Sequence, residues 1–299
     1  MKKILILGAV VSAFAFTGCF FPGPCIQGYG PVMYETRELE GFTAVSNTES
    51  FEVRVTLSDT FGVEVEAQEN LMNIIETYVS GSTLIVKTKN GTCISSAAPV
   101  VVYVSLPELE EVRNTGSGRL SADRIDTYQF ECVNTGSGRI SIDSIFADEA
   151  SLKNSGSGQL YVIASYVDEM QMTQTGSGTV DAGIVYGADD FSINHTSSGK
   201  VYGTLFDGIE VDARLTGSGR IELAGDAVVA DYSLSSSGKI DALELVVSDV
   251  QATSTGSGKI YLHAIDLLDV TITGSGDIIY QGNPVITSRI TGSGSLRPY

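Results

Sequence analysis

From Thr115 onward the chain repeats one short motif at a near-constant step. Gly-Ser-Gly, or Ser-Ser-Gly in its place, occurs ten times, with the final glycine at Gly118, Gly138, Gly158, Gly178, Gly199, Gly219, Gly238, Gly258, Gly276 and Gly294. The steps between them are 20, 20, 20, 21, 20, 19, 20, 18 and 18 residues. A regular period of this length marks a solenoid, in which a unit that cannot bury its apolar face alone buries it against its neighbours. Helical solenoids need longer units with a 3.6-residue pattern, whereas here the pattern inside a unit has a period of two. Before the final glycine, Phe130, Cys132 and Asn134 alternate with polar positions, as do Ala150, Leu152 and Asn154, then Met170, Met172 and Gln174, then Phe191, Ile193 and His195. After it, Leu120/Ala122, Ile140/Ile142 and Ile221/Leu223 alternate in the same way. Such alternation is that of half-buried strands. The expected fold is all-β, a right-handed single-stranded parallel β-helix with coils of ~20 residues, the hand following from the crossover rule for parallel strands.

Stacked coils about 4.8 Å apart place equivalent residues in columns. One column is Ser117, Ser137, Ser157, Ser177, Ser198, Ser218, Ser237, Ser257, Ser275 and Ser293, and beside it runs a column of Thr and Ser from Thr115 to Thr291. Stacked hydroxyls are expected to donate to one coil and accept from another. The final glycine, present in every copy, is expected either to adopt positive φ or to admit a close backbone approach. The first glycine gives way to Ser197 and Ser236, so its demand is expected to be looser. Glycine-rich loops also cradle phosphates, but those lead from a strand into a helix N-terminus. Here each copy leads into another strand, so Gly-Ser-Gly reads as a structural corner. Asn134, Asn154, Gln174 and His195 read as one polar ladder inside the coil.

Ahead of the repeats, FEVRVTL (51–57), FGVEVEA (61–67), STLIVKT (82–88) and VVVYVSL (100–106) read as strands and as the first coils of the same rod. ENLMNIIETYV (69–79) is a candidate short helix or capping loop. The start of the chain is a targeting segment: Met1-Lys2-Lys3 precedes an apolar run over residues 4–16, and Phe-Thr-Gly leads into Cys19. This arrangement resembles a bacterial lipobox with Cys19 lipidated. The expected organisation is a signal peptide over 1–18, a tether over 19–35, and a β-helix over 36–299. Within that body, 36–113 holds N-terminal coils and a cap and 114–299 the ten repeats. The expected location is the bacterial cell envelope, the outer membrane if the cell is Gram-negative, on either its surface or its periplasmic side, with the membrane as partner through the lipid. Composition adds 18 basic against 36 acidic residues, which disfavours nucleic acid as a partner. Cys25, Cys93 and Cys132 remain, an odd number that leaves a free thiol, and export allows a Cys25–Cys93 disulfide. No cysteine or histidine cluster points to a metal, and no cofactor is implied.

The segments RELEGFTAVSNTESFEVRVTL (37–57), VEVEAQENLMNIIETYVSGSTLIVK (63–87) and VVVYVSLPELEEVRNTGSG (100–118) resemble the putative auto-transporter adhesin, head GIN domain family. The resemblance runs from about Arg37 to Tyr299. It implies a single-chain right-handed β-helix on an exported bacterial protein, often a lipoprotein. It assigns no catalytic or binding residues.

Catalytic constellations are sparse. His195 belongs to the polar ladder, and His263 has no matching acid or nucleophile. Asp123 and Asp143 share a column, but Ile163 and Gly183 follow, so a lyase-type carboxylate cluster stops at two residues. One surface column stands out: Arg119, Arg139, Gln159, Thr179, Lys200, Arg220, Lys239 and Lys259, then Asp277 and Ser295. Two positions on lie Tyr161, Tyr202 and Tyr261 with Asp181, Glu222 and Asp241. Lys200, Arg220, Lys239, Lys259, Tyr202 and Tyr261 are therefore the candidate contacts for an acidic glycan, by charge-assisted hydrogen bonds and ring contacts. The alternative is that the basic row pairs with the acidic row and keeps the rod soluble. The expected function is a non-enzymatic, lipid-anchored scaffold or adhesin for envelope or host glycans or proteins. The rivals are a carbohydrate-active β-helix enzyme, a polysaccharide lyase or hydrolase, and a periplasmic structural or stress protein.

Overall fold

A computed structural model describes residues 25–299 as a β-solenoid of about nine turns, with no α-helix among those residues. The signal peptide and Cys19 lie outside the described residues. Successive coils pair in parallel and in register. Ile140 faces Leu160, Ile142 faces Val162, Leu152 faces Met172 and Asn154 faces Gln174 across Arg139–Asn154 and Gln159–Gln174. The inward residues form continuous apolar columns that fill the rod. Where one column carries a large residue its neighbours shrink: Tyr232 is fully buried between Ala213 and Ala252 in adjacent coils. Small-against-large packing of this kind keeps crystal-like density without voids. Burial raises the Tyr232 phenol pKa well above its ordinary value, and its hydroxyl has no hydrogen-bond partner.

The corner is built by glycine on the outside and by amides within. None of the ten final glycines has positive φ. A Cβ on Gly158 would instead overlap the Gly138 carbonyl oxygen of the preceding coil and the Asn134 side-chain amide. Close approach, not left-handed backbone, is therefore what requires glycine there. The first glycine also meets a close approach, since a Cβ on Gly156 would overlap the carbonyl of Gly136. Ser197 and Ser236 fit that position by turning their Oγ atoms to donate to the carbonyls of Gly176 and Gly217. The hydroxyl relay expected along the serine column is mostly not formed. That column is exposed to water, and only the Ser218–Ser237 and Ser275–Ser293 steps are bonded, at 3.3 and 3.1 Å.

The ladder containing His195 carries that role. Buried Asn47, Asn114, Asn134, Asn154 and Gln174 each donate to the carbonyl four residues on, at 3.0, 3.3, 3.4, 3.2 and 2.8 Å. Nδ2 of Asn114 also donates to Oδ1 of Asn134, and Asn134 to Asn154, at 3.3 and 3.2 Å. His195 continues the column, with Nε2 2.8 Å from the Gly199 carbonyl and Nδ1 3.1 Å from that of Gln174. The same column then turns apolar through Leu215 and Leu234.

The N-terminal part departs from the expected sequential coils. Ala44–Asn47 lies between Thr83–Thr88 on one side and Glu111–Asn114 on the other, parallel to both. Glu52–Leu57 lies likewise between Val101–Leu106 and Arg119–Asp126. The chain thus lays down an inner coil first, builds the end of the rod, and returns past its own start. Gly62–Gln68 pairs antiparallel with Val32–Arg37 and Val101–Leu106, which makes the end a cap instead of a coil. The candidate helix at 69–79 is a short 3-10 turn at Glu69–Leu71 followed by the strand Ile75–Ser80. Buried Leu71 and Ile75 pin the turn, and the β-branched Ile75, Thr77 and Val79 favour the extended backbone. Residues 25–35, expected within the tether, join this cap: Ile26–Gln27 pairs with Ile94–Ser95, and Cys25 is bonded to Cys93. Cys132 is free and fully buried, and burial pushes its thiol well up, away from the reactive thiolate.

Replacing Asn134 with Leu leaves Oδ1 of Asn154 without a donor and removes one of the two hydrogen bonds to the Gly138 carbonyl, which keeps that from the Gln159 N–H. The expected cost is about 1–3 kcal/mol, the penalty for orphaned buried polar groups. It is read as a fall in the chemical denaturation midpoint, and an unchanged midpoint would rule out a stabilising role for the ladder.

Candidate functional site

The basic column predicted from the sequence exists. Arg119, Arg139, Gln159, Thr179, Lys200, Arg220, Lys239, Lys259 and Asp277 follow one another in register from coil to coil. Tyr202, Glu222, Asp241 and Tyr261 form the outward row beside it. The structure therefore brings Lys200, Arg220, Lys239 and Lys259 together with Tyr202 and Tyr261 on one face. Its middle is internally paired. Arg220 reaches Glu222 at 2.7 Å and Asp241 at 2.9 Å, and Nζ of Lys239 lies 2.7 Å from Asp241 and 4.2 Å from the centre of the Tyr261 ring. Exposed pairs of this kind contribute about 0–1 kcal/mol each, but they cancel the field that would attract an anion. Among the described residues, Lys200 and Lys259 have no carboxylate partner. Tyr161, Asp181, Tyr202, Glu222 and Glu244 line an adjoining groove, so acid outweighs base along it. Burial raises the Asp181 carboxyl above its ordinary range, and the Gly183 N–H, donating at 3.0 Å, opposes that shift in part.

A second face was not legible as a site. Phe146, Tyr166, Tyr186 and Phe206 occupy one column. Their ring centres are 4.7, 4.8 and 5.7 Å apart, with planes inclined by 7°, 11° and 21°. The coil spacing of about 4.8 Å is close to a stacking distance, so an aromatic placed at the same point of each coil stacks on its neighbour. Tyr166 and Phe206 are 46% and 41% exposed. Asp148 and Asp168 line the same groove as the rings. Nearby, Glu149, Glu169, Asp190 and Glu210 form an acidic column in register. Among the described residues no cation pairs with any of these six carboxylates. At the start of the ladder the Arg124 guanidinium lies over Phe146, 3.9 Å from the ring centre, and is paired with Asp126 at 2.7 Å. The signal was present in the sequence as a large aromatic eight, eight, eight and seven residues after successive final glycines. It falls beyond the strand positions that the period-two pattern tracks.

The described residues hold no group of three or more His, Cys, Asp or Glu placed to ligate a metal ion. This surface carries rings, carboxylates and a repeating spacing.

Residues 41–202 and 183–284 match a protein-family model described as "Putative auto-transporter adhesin, head GIN domain". A crystal structure of a putative adhesin from Parabacteroides merdae ATCC 43184 is similar, with a TM-score of 0.51 and 20% identity over 93% of this chain and 100% of that one. A putative adhesin from Parabacteroides distasonis ATCC 8503 has a TM-score of 0.49 at 20% identity, covering 92% of this chain and 100% of its own. A putative lipid binding protein from the same strain has a TM-score of 0.49 at 23% identity, with the same coverage of 92% and 100%. The first of these likenesses is one of fold. No curated protein matches the sequence.

The raised pKa of Asp181 has a consequence for stability. In the folded state this carboxyl keeps its proton to a higher pH than in the unfolded chain. Protonation therefore favours the fold at low pH, and that contribution is lost as pH rises through the folded pKa. Asp181→Asn is expected to raise the thermal midpoint slightly at pH 7, by on the order of 1 °C, and to leave it unchanged at pH 3. Equal midpoints at both pH values would show that burial does not strain this carboxylate.

Proposed function

The chain belongs to the putative auto-transporter adhesin, head GIN domain family, and from that membership and its surface we propose a non-enzymatic adhesion rod of the bacterial envelope, held to the membrane by lipid on Cys19. The observation that carries this reading is where the chemistry lies. The interior columns are filled by packed apolar side chains and a hydrogen-bonded amide ladder, while the stacked rings and unpaired charges face outward. Enzymes on repeat scaffolds gather acid, base and nucleophile by breaking the repeat. Here the register passes from coil to coil with one-residue shifts between Leu205 and Gly208 and between Glu222 and Ala224, and one three-residue bulge between Ala242 and Val246. A rod of this kind acts as a spacer that projects a lateral face, and regular coils suit repeated weak contacts better than one deep site. The basic start, the apolar run and Cys19 support the lipid anchor. The acidic body that follows is repelled by anionic head groups, so the lipid rather than the protein surface supplies the membrane affinity.

A second reading, an acidic glycan on the basic column, is favoured by unpaired Lys200 and Lys259 and by the Lys239–Tyr261 contact.

Antibody labelling of intact cells is expected to match that of permeabilised cells, and Cys19→Ser is expected to release the protein from the membrane fraction. Labelling only after permeabilisation would replace the adhesin with an inward-facing scaffold. For the second reading, exchanging Lys200, Arg220, Lys239 and Lys259 together for Gln is expected to abolish retention on an acidic polysaccharide column. Unchanged retention would end it.

A further inference from the structure

We propose that the aromatic ladder is a docking strip for a basic, arginine-bearing polypeptide segment, with one guanidinium seated on the open face of Phe206. The proposal deepens the reading of an outward-binding rod by naming the class of partner.

The molecule already shows the recognition mode once. Arg124 covers the outer face of Phe146, the first ring, and is held there by Asp126. The other end of the ladder has the same elements without the cation. Phe206 stacks through one face on Tyr186 and remains 41% exposed. The next coil supplies neither a ring nor a cation at this point. The register shifts between Leu205 and Gly208, so that Phe206 and Asp207 stand opposite Asp226. Oδ2 of Asp226 accepts from the backbone N–H of Asp207 at 3.0 Å, which fixes the carboxylate beside the ring. Asp207 itself has φ of 58°, a left-handed backbone that costs a non-glycine residue energy and turns the chain at this corner. Among the described residues no cation lies over Phe206 or pairs with Asp207 or Asp226.

The chemistry selects the occupant. An exposed aromatic face beside fixed carboxylates suits a guanidinium, which stacks on a ring and pairs with a carboxylate in the same plane. An ammonium meets the charge but lacks the planar fork. Anionic glycans are opposed by Asp148 and Asp168 along the groove and by a net charge of −18. Neutral sugars stack on ring faces, whereas rings stacked on one another present mostly their edges to water. The strip runs for about 15 Å from Phe146 to Phe206, the sum of the ring spacings. That is room for about five residues of an extended chain at ~3.3 Å each. Complementary charge along the strip then brings the segment in quickly, and the end seat sets its register.

The test uses the full chain in detergent and two labelled peptides, hexa-arginine and hexa-lysine, followed by fluorescence anisotropy at physiological salt. Hexa-arginine is expected to bind more tightly than hexa-lysine. Phe206→Leu keeps the apolar bulk and removes the ring, and is expected to weaken hexa-arginine by about three- to tenfold, in line with cation–π energies. Asp226→Asn, at an exposed position whose oxygen still accepts from Asp207, is expected to weaken it by a similar factor. Asp59→Asn, an exposed acid in the N-terminal cap, removes the same charge and is expected to change nothing. Equal affinities for the two peptides, or equal losses at Asp59 and Asp226, would reduce the effect to general attraction to an acidic rod and overturn the proposal. Should Phe206→Leu fail to fold, Asp226→Asn against Asp59→Asn decides alone. These measurements need no cells, so they stand apart from where the rod is displayed.

Discussion

The rod depends on how closely one backbone corner can sit on the next. At each Gly-Ser-Gly corner the glycine Cα lies against the carbonyl of the preceding coil, in a space that any side chain would fill. That approach fixes the coil spacing, and the spacing fixes everything stacked upon it. Inside the corner, buried amides close the turn by donating to the carbonyl four residues on, and in the first repeats they donate to one another along the axis as well. Where the column becomes Leu215 and Leu234, packing replaces hydrogen bonding, and the corner survives because the glycines persist. A buried polar ladder and an apolar one can alternate there because the amide N–H groups find carbonyl partners and the leucines need none.

The same spacing governs the surface. A column of equal charges stacked at about 4.8 Å is unfavourable. The chain relieves this on one face by setting Arg220 and Lys239 against Glu222 and Asp241. On the edge that carries Glu149, Glu169, Asp190 and Glu210 it does not. Beside those carboxylates the spacing favours stacked rings, and four aromatics exploit it. One edge of the rod is thus balanced by its own ion pairs, while another keeps its charge unpaired and its rings open to solvent. That asymmetry is the clearest functional feature of an otherwise regular molecule.

The two ends of the body differ as well. An open solenoid end exposes unpaired strand edges, which template association. At the N-terminal end, antiparallel strands and the Cys25–Cys93 bond cover the rod, and the chain returns past its own inner coil to begin the repeats. The disulfide ties the first described strand to the cap, so residues from Cys25 onward form one unit with the folded body.

Much of this was determined by the sequence alone. The near-constant step of the final glycines specified a solenoid, the period-two alternation specified its strands, and the position of His195 after Asn134, Asn154 and Gln174 specified a buried ladder. Each of these follows from local periodicity, which survives in any coil that stacks in register. The basic column with Lys200 and Lys259 was equally legible, because it adjoins the glycine that sets the register. Tertiary structure decided the rest. It placed the 44–57 segment between later ones, turned 75–80 into a strand, and neutralised Arg220 and Lys239 with acids from the neighbouring row. It also brought Phe206 into the aromatic column although its offset from the glycine differs from that of Phe146, Tyr166 and Tyr186. These outcomes rest on one-residue shifts and on contacts between coils. A repeating pattern fixes what each coil contains, but only the packed stack fixes which side chains meet.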